Sequence, residues 1–447
     1  MPAPSGLPFD DVPDLPPVAR RFGLYVTFDT QSDPASETFP STEKQKALGR
    51  LLVSELWAMG VEDAEMDDWG YVYATLPSPL PPEEAARLPV VALLAHLDTS
   101  PDAPGAGVRP LLHPGYDGGV ITLPGGVALD PARQPALAEH VGHTLITSDG
   151  TTLLGSDDKA GVAVIMQLAE DLLREDDDLR QRGRRPAPRP TLRLLFTPDE
   201  EVGRGTDHLD LHRLGADVAY TLDGSGTDRL NVETFNAAEA TVTVEGVGVH
   251  PGYAHGVMVN AVTIAAQLVA ALPPDEQPET TRGREGYFYP HALSGDTTRA
   301  EVRVLLRDFE DDGLARRKAL LEDLAARLRE EHPRARIEVA FRDSYRNMLR
   351  YIEAKDRRVI DVAVEAARAM GFEPAMELIR GGTDGARLSE KGLPTPNVFT
   401  GGYDFHSLFE WNTVENLERA LEYARRLVLA WGEQLEKGGV GEGEQGG

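Results

Sequence analysis

From Val90 to Leu97 the chain carries a single polar residue, His96. So short and apolar a run suits a strand covered on both faces, the situation of a parallel sheet with helices above and below it. Similar runs recur at 144–147, 191–197, 217–222 and 396–400, and helical patterns at 159–173, 356–370 and 414–434 separate them. Strands alternating with helices imply an α/β fold whose mostly parallel sheet is flanked by helices. A further helix opens at Pro40-Ser41-Thr42-Glu43-Lys44-Gln45, where Thr42 and Gln45 stand at capping-box spacing and Leu48, Leu51, Leu52, Leu56 and Met59 form an apolar stripe.

Residues 235–345 follow another pattern. Strand-like 238–245 precedes a helix at 258–272; strand-like 287–293 and 300–307 follow, then a helix at 313–331 and a strand at 335–342. This βαββαβ order suits a small two-layer α+β domain. Because chemistry-bearing motifs lie on both sides of it, we read 235–345 as an insertion into a discontinuous domain of 18–234 and 346–437. Residues 1–17 are expected to form an extended arm, Arg174–Pro190 a solvated loop, and 438–447 a disordered tail. At 447 residues, two domains are the natural expectation.

Composition narrows the function. Lys and Arg total 45 against 73 for Asp and Glu, a net charge of −28. Nucleic acid and anionic membranes reward cationic surfaces, so neither is expected as a partner. With no cysteine, disulfides and thiolate metal sites are excluded. The first residues have no basic start and no apolar core of a signal peptide, and no stretch approaches the ~18 apolar residues of a membrane span. A cytoplasmic enzyme is the expectation.

Five scattered strings place imidazoles and carboxylates at or near strand ends: His96-Leu97-Asp98-Thr99, Ser156-Asp157-Asp158-Lys159, Asp199-Glu200-Glu201, Thr221-Leu222-Asp223-Gly224 and Phe405-His406. Strand ends far apart in sequence can converge in space, and mixed imidazole and carboxylate donors suit Zn²⁺ or a similar borderline ion. Residues i and i+2 of a strand share a side, so Asp98 can accept the second ring N–H of His96. Asp157 precedes a helix and has two oxygens able to bridge two metals. Of the adjacent Glu200 and Glu201, one can bind metal while the other moves a proton. His406 lies in a loop too glycine-rich to be core. Each string alone has a plainer reading: a buried histidine beside an aspartate, a helix cap, an acidic loop, a turn aspartate. Jointly they point to a metal-dependent hydrolase. His113, His140, His208 and His332 are expected at the surface.

From about residue 20 to 432 the chain closely resembles the peptidase T family of tripeptide aminopeptidases, within the di-zinc exopeptidase group that includes aminoacylases and carboxypeptidase G. The strings carrying the resemblance are His-Leu-Asp-Thr-Ser-Pro-Asp (96–102), Thr-Leu-Leu-Gly-Ser-Asp-Asp-Lys-Ala-Gly (152–161), Phe-Thr-Pro-Asp-Glu-Glu-Val-Gly (196–203), Val-His-Pro-Gly (249–252), Gly-Val-Met-Val-Asn-Ala (256–261), Arg-Asp-Phe (307–309) and Ile-Arg-Gly-Gly-Thr-Asp-Gly-Ala (379–386). The resemblance implies a zinc-exopeptidase-like fold and two Zn²⁺ per chain, with Co²⁺ or Mn²⁺ as substitutes. His96 and Asp223 would bind one ion, Glu201 and His406 the other, and Asp157 both. Glu200 would be the general base, supported by Asp98. His250, Arg307 and Arg380 would hold small peptide substrates. The inserted domain would act as a lid and dimerisation domain, and the Asp157–Asp158 peptide would be cis. The chain departs from the family pattern at Ser156, at the long 174–190 segment and just after His406. A dipeptidase or N-acyl amino acid deacylase would use the same centre with another pocket, and a ligand-binding relative without activity would keep only the fold.

Overall fold

The structure, a computed structural model, describes Pro8, Phe9 and residues 12–438, with side chains through residue 435. Much of the expected arm (1–7, 10 and 11) and the expected tail from 439 onward lie outside the described residues. The chain divides into two units: residues up to Val232 with Tyr351–Glu377 and Thr383 onward, and Glu233–Arg350 with Leu378–Gly382.

The first unit is built on an eight-stranded sheet in the order Glu65–Met66, Val72–Leu76, Leu192–Thr197, Val91–His96, Val218–Gly224, Asn397–Phe399, Arg229–Thr234 and Ala375–Ile379. Parallel pairing joins Leu192–Thr197, Val91–His96, Val218–Gly224 and Asn397–Phe399, while Val72–Leu76 and Arg229–Thr234 pair antiparallel on either side. Val91–His96 is buried along its whole length. Its Ala92 and Leu94 pack with Tyr71, Leu195, Ala219 and Leu388 in one apolar cluster. The helix Ser156–Gln181 also packs on this strand, with the helices Pro17–Tyr25 and Val414–Gly438 against it. Each fully buried leucine here contributes roughly 1.5–3 kcal/mol relative to exposure, which explains why the strand tolerates only one polar residue, at its end.

Several expectations change. The helix begins at Gln45 without a side-chain cap. The Gln45 amide donates to Asp199 Oδ1 at 2.7 Å and to Thr42 Oγ1 at 3.2 Å, so it serves side-chain acceptors, the nearest a distant carboxylate, and does not close the backbone capping box. Leu145–Thr147 is a strand, but in a separate three-stranded sheet between Leu111–His113 and Trp411–Thr413. The first half of the expected 174–190 loop is helical through Gln181: Arg174, Glu175, Leu179, Arg180 and Gln181 are good helix formers, and Arg180 pairs with Asp177 one turn earlier. Beyond it, Arg189 is buried and paired with Asp176 at 2.8 Å. His140 is also buried, against Tyr403 and Trp411. Its Nδ1 lies 2.7 Å from the Ala136 carbonyl oxygen and its Nε2 3.1 Å from Asn416 Nδ2, so hydrogen bonds satisfy what sequence assigned to solvent.

The second unit is an antiparallel sheet ordered Tyr287–Gly295, Arg299–Asp308, Asn236–Glu245, Arg336–Tyr345, with helices Ala261–Ala271 and Asp311–Glu331. Ala238, Ala240, Val242 and Val244 alternate into a core completed by Ile264, Leu268 and Leu321. On the other side Glu239 gathers Arg303 (2.6 Å) and Arg342 (2.9 Å). Asn260 caps the first helix by accepting the Thr263 N–H, which moves its start three residues past the periodic pattern.

Candidate functional site

Parallel pairing delivers the reactive strings to one edge. His96 pairs in register with Thr197, so the carboxyl ends of these strands, and the Asp199–Glu201 turn after the second, come out together. Asp223 ends the neighbouring parallel strand, and Asn397–Phe399 leads into the loop with His406. Crevices beyond the carboxyl ends of such strands are where open α/β sheets bind ligands. Asp157 arrives from the other direction, at a non-helical kink at the start of the helix Ser156–Gln181, where the Asp157–Asp158 peptide is cis. Gly161 permits the close approach: a Cβ there would lie 2.0 Å from the Leu222 carbonyl oxygen.

Asp157 is the centre of the arrangement. Its Oδ1 lies 2.9 Å from His96 Nε2, which is also 3.6 Å from Asp223 Oδ1. Its Oδ2 lies 3.2 Å from His406 Nε2, which is 2.9 Å from Glu201 Oε2. One carboxylate therefore divides its oxygens between two groups, each made of one imidazole and one further carboxylate. The first is deep, with the His96 side chain 2% exposed; the second is nearer solvent, with that of His406 39% exposed.

Both histidines present Nε2 to the centre because Nδ1 is engaged elsewhere. His96 Nδ1 is 3.0 Å from the Asp98 carbonyl oxygen and 3.4 Å from its carboxylate; His406 Nδ1 is 3.3 Å from Asp102 Oδ2. A donor on Nδ1 leaves a lone pair on Nε2, the tautomer a metal ligand needs. Asp98 does more than sequence suggested. Its two oxygens accept the backbone N–H groups of Glu200 (3.0 Å) and Glu201 (3.2 Å), so one buried carboxylate aligns both glutamates and the imidazole. The turn is held from behind by Asp199, whose φ of 58° is unusual for a non-glycine residue and whose carboxylate accepts from Ser41 N–H (2.6 Å) and Arg204 (2.9 Å).

The charges show what the site lacks. Burial and the nearby Asp157 push Asp223 up to about 7 and Glu201 up to about 8. Burial, Asp223 and Asp384 hold the Glu200 carboxyl well above its ordinary range. For His406 burial acts downward but is outweighed by hydrogen bonds to Asp157 and Glu201, which push it up to about 12. Glu201 Oε1 is buried with no hydrogen-bond partner. Protons and one orphaned oxygen thus stand where positive charge would be at home. The donor set, all imidazole and carboxylate, fits divalent cations.

The remaining predicted residues belong to the second unit. Arg307 donates to the carbonyls of Leu306 (3.0 Å) and Ala238 (3.3 Å). The carboxylates nearest to it in sequence pair elsewhere: Asp308 with Arg317 and Glu310 with Arg284. Arg380 donates to the Gly283 carbonyl and to Thr281 Oγ1, both at 2.8 Å. Tyr287 feels both arginines. His250 sits apart at an exposed turn, its Nδ1 accepting from Gly252 N–H at 3.1 Å.

Sequence reasoning missed four buried groups beside the centre. Asp158 accepts the backbone N–H groups of His96 and Gly161, each at 3.2 Å. Asp384 accepts from Thr197 Oγ1 at 2.8 Å and offers its N–H to Glu200 Oε1 at 3.2 Å. Lys159 donates to the Phe28 carbonyl at 2.6 Å and is pushed down to about 7 by burial. Glu410 accepts three backbone N–H groups around Asp157. The only available signal was their place within or next to the motif strings.

Residues 232–336 match the peptidase dimerisation domain family. The chain is 45% identical to peptidase T of Shouchella clausii over 404 residues, covering 90% of this chain and 95% of that one. The chain belongs to the peptidase T family. It is accordingly a metal-dependent aminopeptidase. Peptidase T of Vibrio cholerae is 43% identical over 409 residues, covering 91% of this chain and 96% of the relative. Among solved structures, aminopeptidase PepT from Bacillus cereus superposes with a TM-score of 0.69 at 22% identity, covering 93% of this chain and 98% of that one. That likeness shows the shared fold. No helix among the described residues is long and apolar enough to cross a membrane.

Proposed function

We propose that this enzyme releases the N-terminal residue of tripeptides with a pair of zinc ions. The observation that carries this reading is the division of Asp157 between two imidazole–carboxylate groups. His96 and Asp223 would hold one ion, Glu201 and His406 the other, with Asp157 common to both; Co²⁺ or Mn²⁺ suit the same donors. When bound, the pair supplies Lewis acidity, bringing a water toward ionisation near neutral pH. Glu200 takes the proton of the attacking water and returns it to the leaving amine. Asp384 N–H on its Oε1 fixes the direction of that carboxyl. Asp98 keeps the His96 ring and the glutamate backbone aligned. Arg307 and Arg380, without carboxylate partners among the described residues, hold the peptide carboxylate, and His250 a substrate oxygen. The match to a dimerisation domain supports a homodimer formed through the second unit.

A panel of di-, tri- and tetrapeptides and N-acetyl amino acids, with and without chelator, tests the reading. Tripeptides should be cleaved fastest and only with metal; faster dipeptide or N-acetyl hydrolysis would replace it with a dipeptidase or deacylase. Arg380→Ala should raise KM for free-acid tripeptides by about 10–100-fold, the loss of one charge-assisted hydrogen bond of roughly 1.5–3 kcal/mol. C-terminal amides should be much less affected, and equal effects on both would count against the carboxylate clamp.

Metal uptake should release protons. Asp223, Glu201 and His406 all bind their protons more tightly in the metal-free fold than in the unfolded chain. Each therefore stabilises the metal-free fold fully below its unfolded pKa, and that contribution is lost as pH rises through the folded value. A cation must displace the same protons. The gap in Tm between metal-loaded and chelated protein should widen from pH 6 to pH 8, as carboxyls at about 7 and about 8 ionise. A gap that stays constant over that window would contradict the assignment of these groups as ligands.

A further inference from the structure

Glu410 is fully enclosed, with 2% of its surface exposed, and its carboxylate faces backbone. Oε2 accepts the N–H groups of Leu154 and Gly155, both at 2.9 Å, and Oε1 accepts the Asp157 N–H at 3.0 Å. Gly155 has φ +83°, and Asp157 and Asp158 depart from helical angles, so no regular helix or strand supplies acceptors for these donors. Left unpaired in a buried place, each N–H would be costly. The same carboxylate lies four residues after His406, in a loop closed by backbone hydrogen bonds in both directions between Tyr403 and Trp411. A second tie joins the same two segments: Asn412 Nδ2 donates to Ser156 Oγ at 2.9 Å.

We infer that Glu410 is a positioning residue, which clamps the backbone of Asp157 to the loop of His406 and so sets the shared carboxylate between its two imidazoles. The inference rests on the proposed two-ion reading of Asp157. The clamp acts on the main chain of Asp157, leaving both side-chain oxygens free to face His96 and His406. It touches neither substrate nor the reacting atoms. Its effect is on how well Asp157 fits between two donor groups, and hence on metal affinity more than on peptide binding.

The test is metal titration of the full chain by competition with a chelating dye, using Zn²⁺, alongside circular dichroism of the chelated protein. Glu410→Gln keeps size but replaces one acceptor oxygen with an amide that cannot accept an N–H. It should stay folded, bind the second Zn²⁺ equivalent about 10–100-fold more weakly, as is typical when a group supporting a ligand is lost, and lose kcat with little change in KM. Glu410→Asp keeps the charge on a shorter arm and should recover part of that affinity. Two-ion binding at wild-type affinity in both folded variants would overturn this inference alone. Failure of both variants to fold would overturn it as well, since the residue would then hold the fold and not the ligand. Wild-type protein that takes up no pair of ions would sink the two-ion reading and this inference with it.

Discussion

Glu200→Gln should lower kcat on a tripeptide by about 10²–10⁴-fold, the usual contribution of a positioned general base, while the protein keeps its metal. The amide has the shape of the carboxylate and its oxygen can still accept the Asp384 N–H, so the fold and the turn should not change. What it cannot do is carry a proton from water to the leaving amine. Glu200 is half-buried, and no hydrogen bond joins its side chain to either histidine, whereas Glu201 faces His406 at 2.9 Å. This is why the two adjacent glutamates are assigned different work. Measuring kcat together with metal content separates the outcomes: full activity would remove Glu200 as the base, and loss of a metal equivalent would make it a ligand.

A second large effect is expected at Asp157. Asparagine there keeps one oxygen but puts an amide toward one of the two imidazoles, and the site loses the charge that both groups share. Asp157→Asn should fall below two bound ions per chain and lose at least about 10²-fold in kcat/KM, because the proposed pair of ions would lose the one anionic group placed between both sets of donors. The effect on the metal-free protein should be visible too. Burial acts upward on Asp157, but hydrogen bonds to His406 and His96 outweigh it and hold the carboxyl below its ordinary range. Removing the anion should release the grip on both imidazolium protons, detectable by NMR titration of the ring signals in chelated protein. Two bound ions in a folded Asp157→Asn variant would show that the carboxylate is not shared.

Between these residues lies the division between what could be read and what could not. Val91–His96 was legible because a strand covered on both faces must be apolar along its length, and its one polar residue announced the end of the strand. The βαββαβ order of the second unit was legible because its strands alternate and its helices carry periodic stripes. The capping box at Thr42 and the loop at 174–190 misled because both inferences were local. Gln45 found a better partner in Asp199, 154 positions away, and the charged segment continued a helix that solvent-facing ion pairs tolerate.

The sequence by itself determined which side chains could do chemistry and that they stand at or near the ends of strands, since residue type and hydrophobic period are local properties. Only the tertiary structure decided that the two oxygens of Asp157 face different histidines, that Asp98 holds the backbone of both glutamates, and that Glu410 is an internal clamp and not a surface acid. Those facts depend on distances between segments far apart in the chain. Such distances are set by the packing of helices on the sheet, which no residue encodes alone.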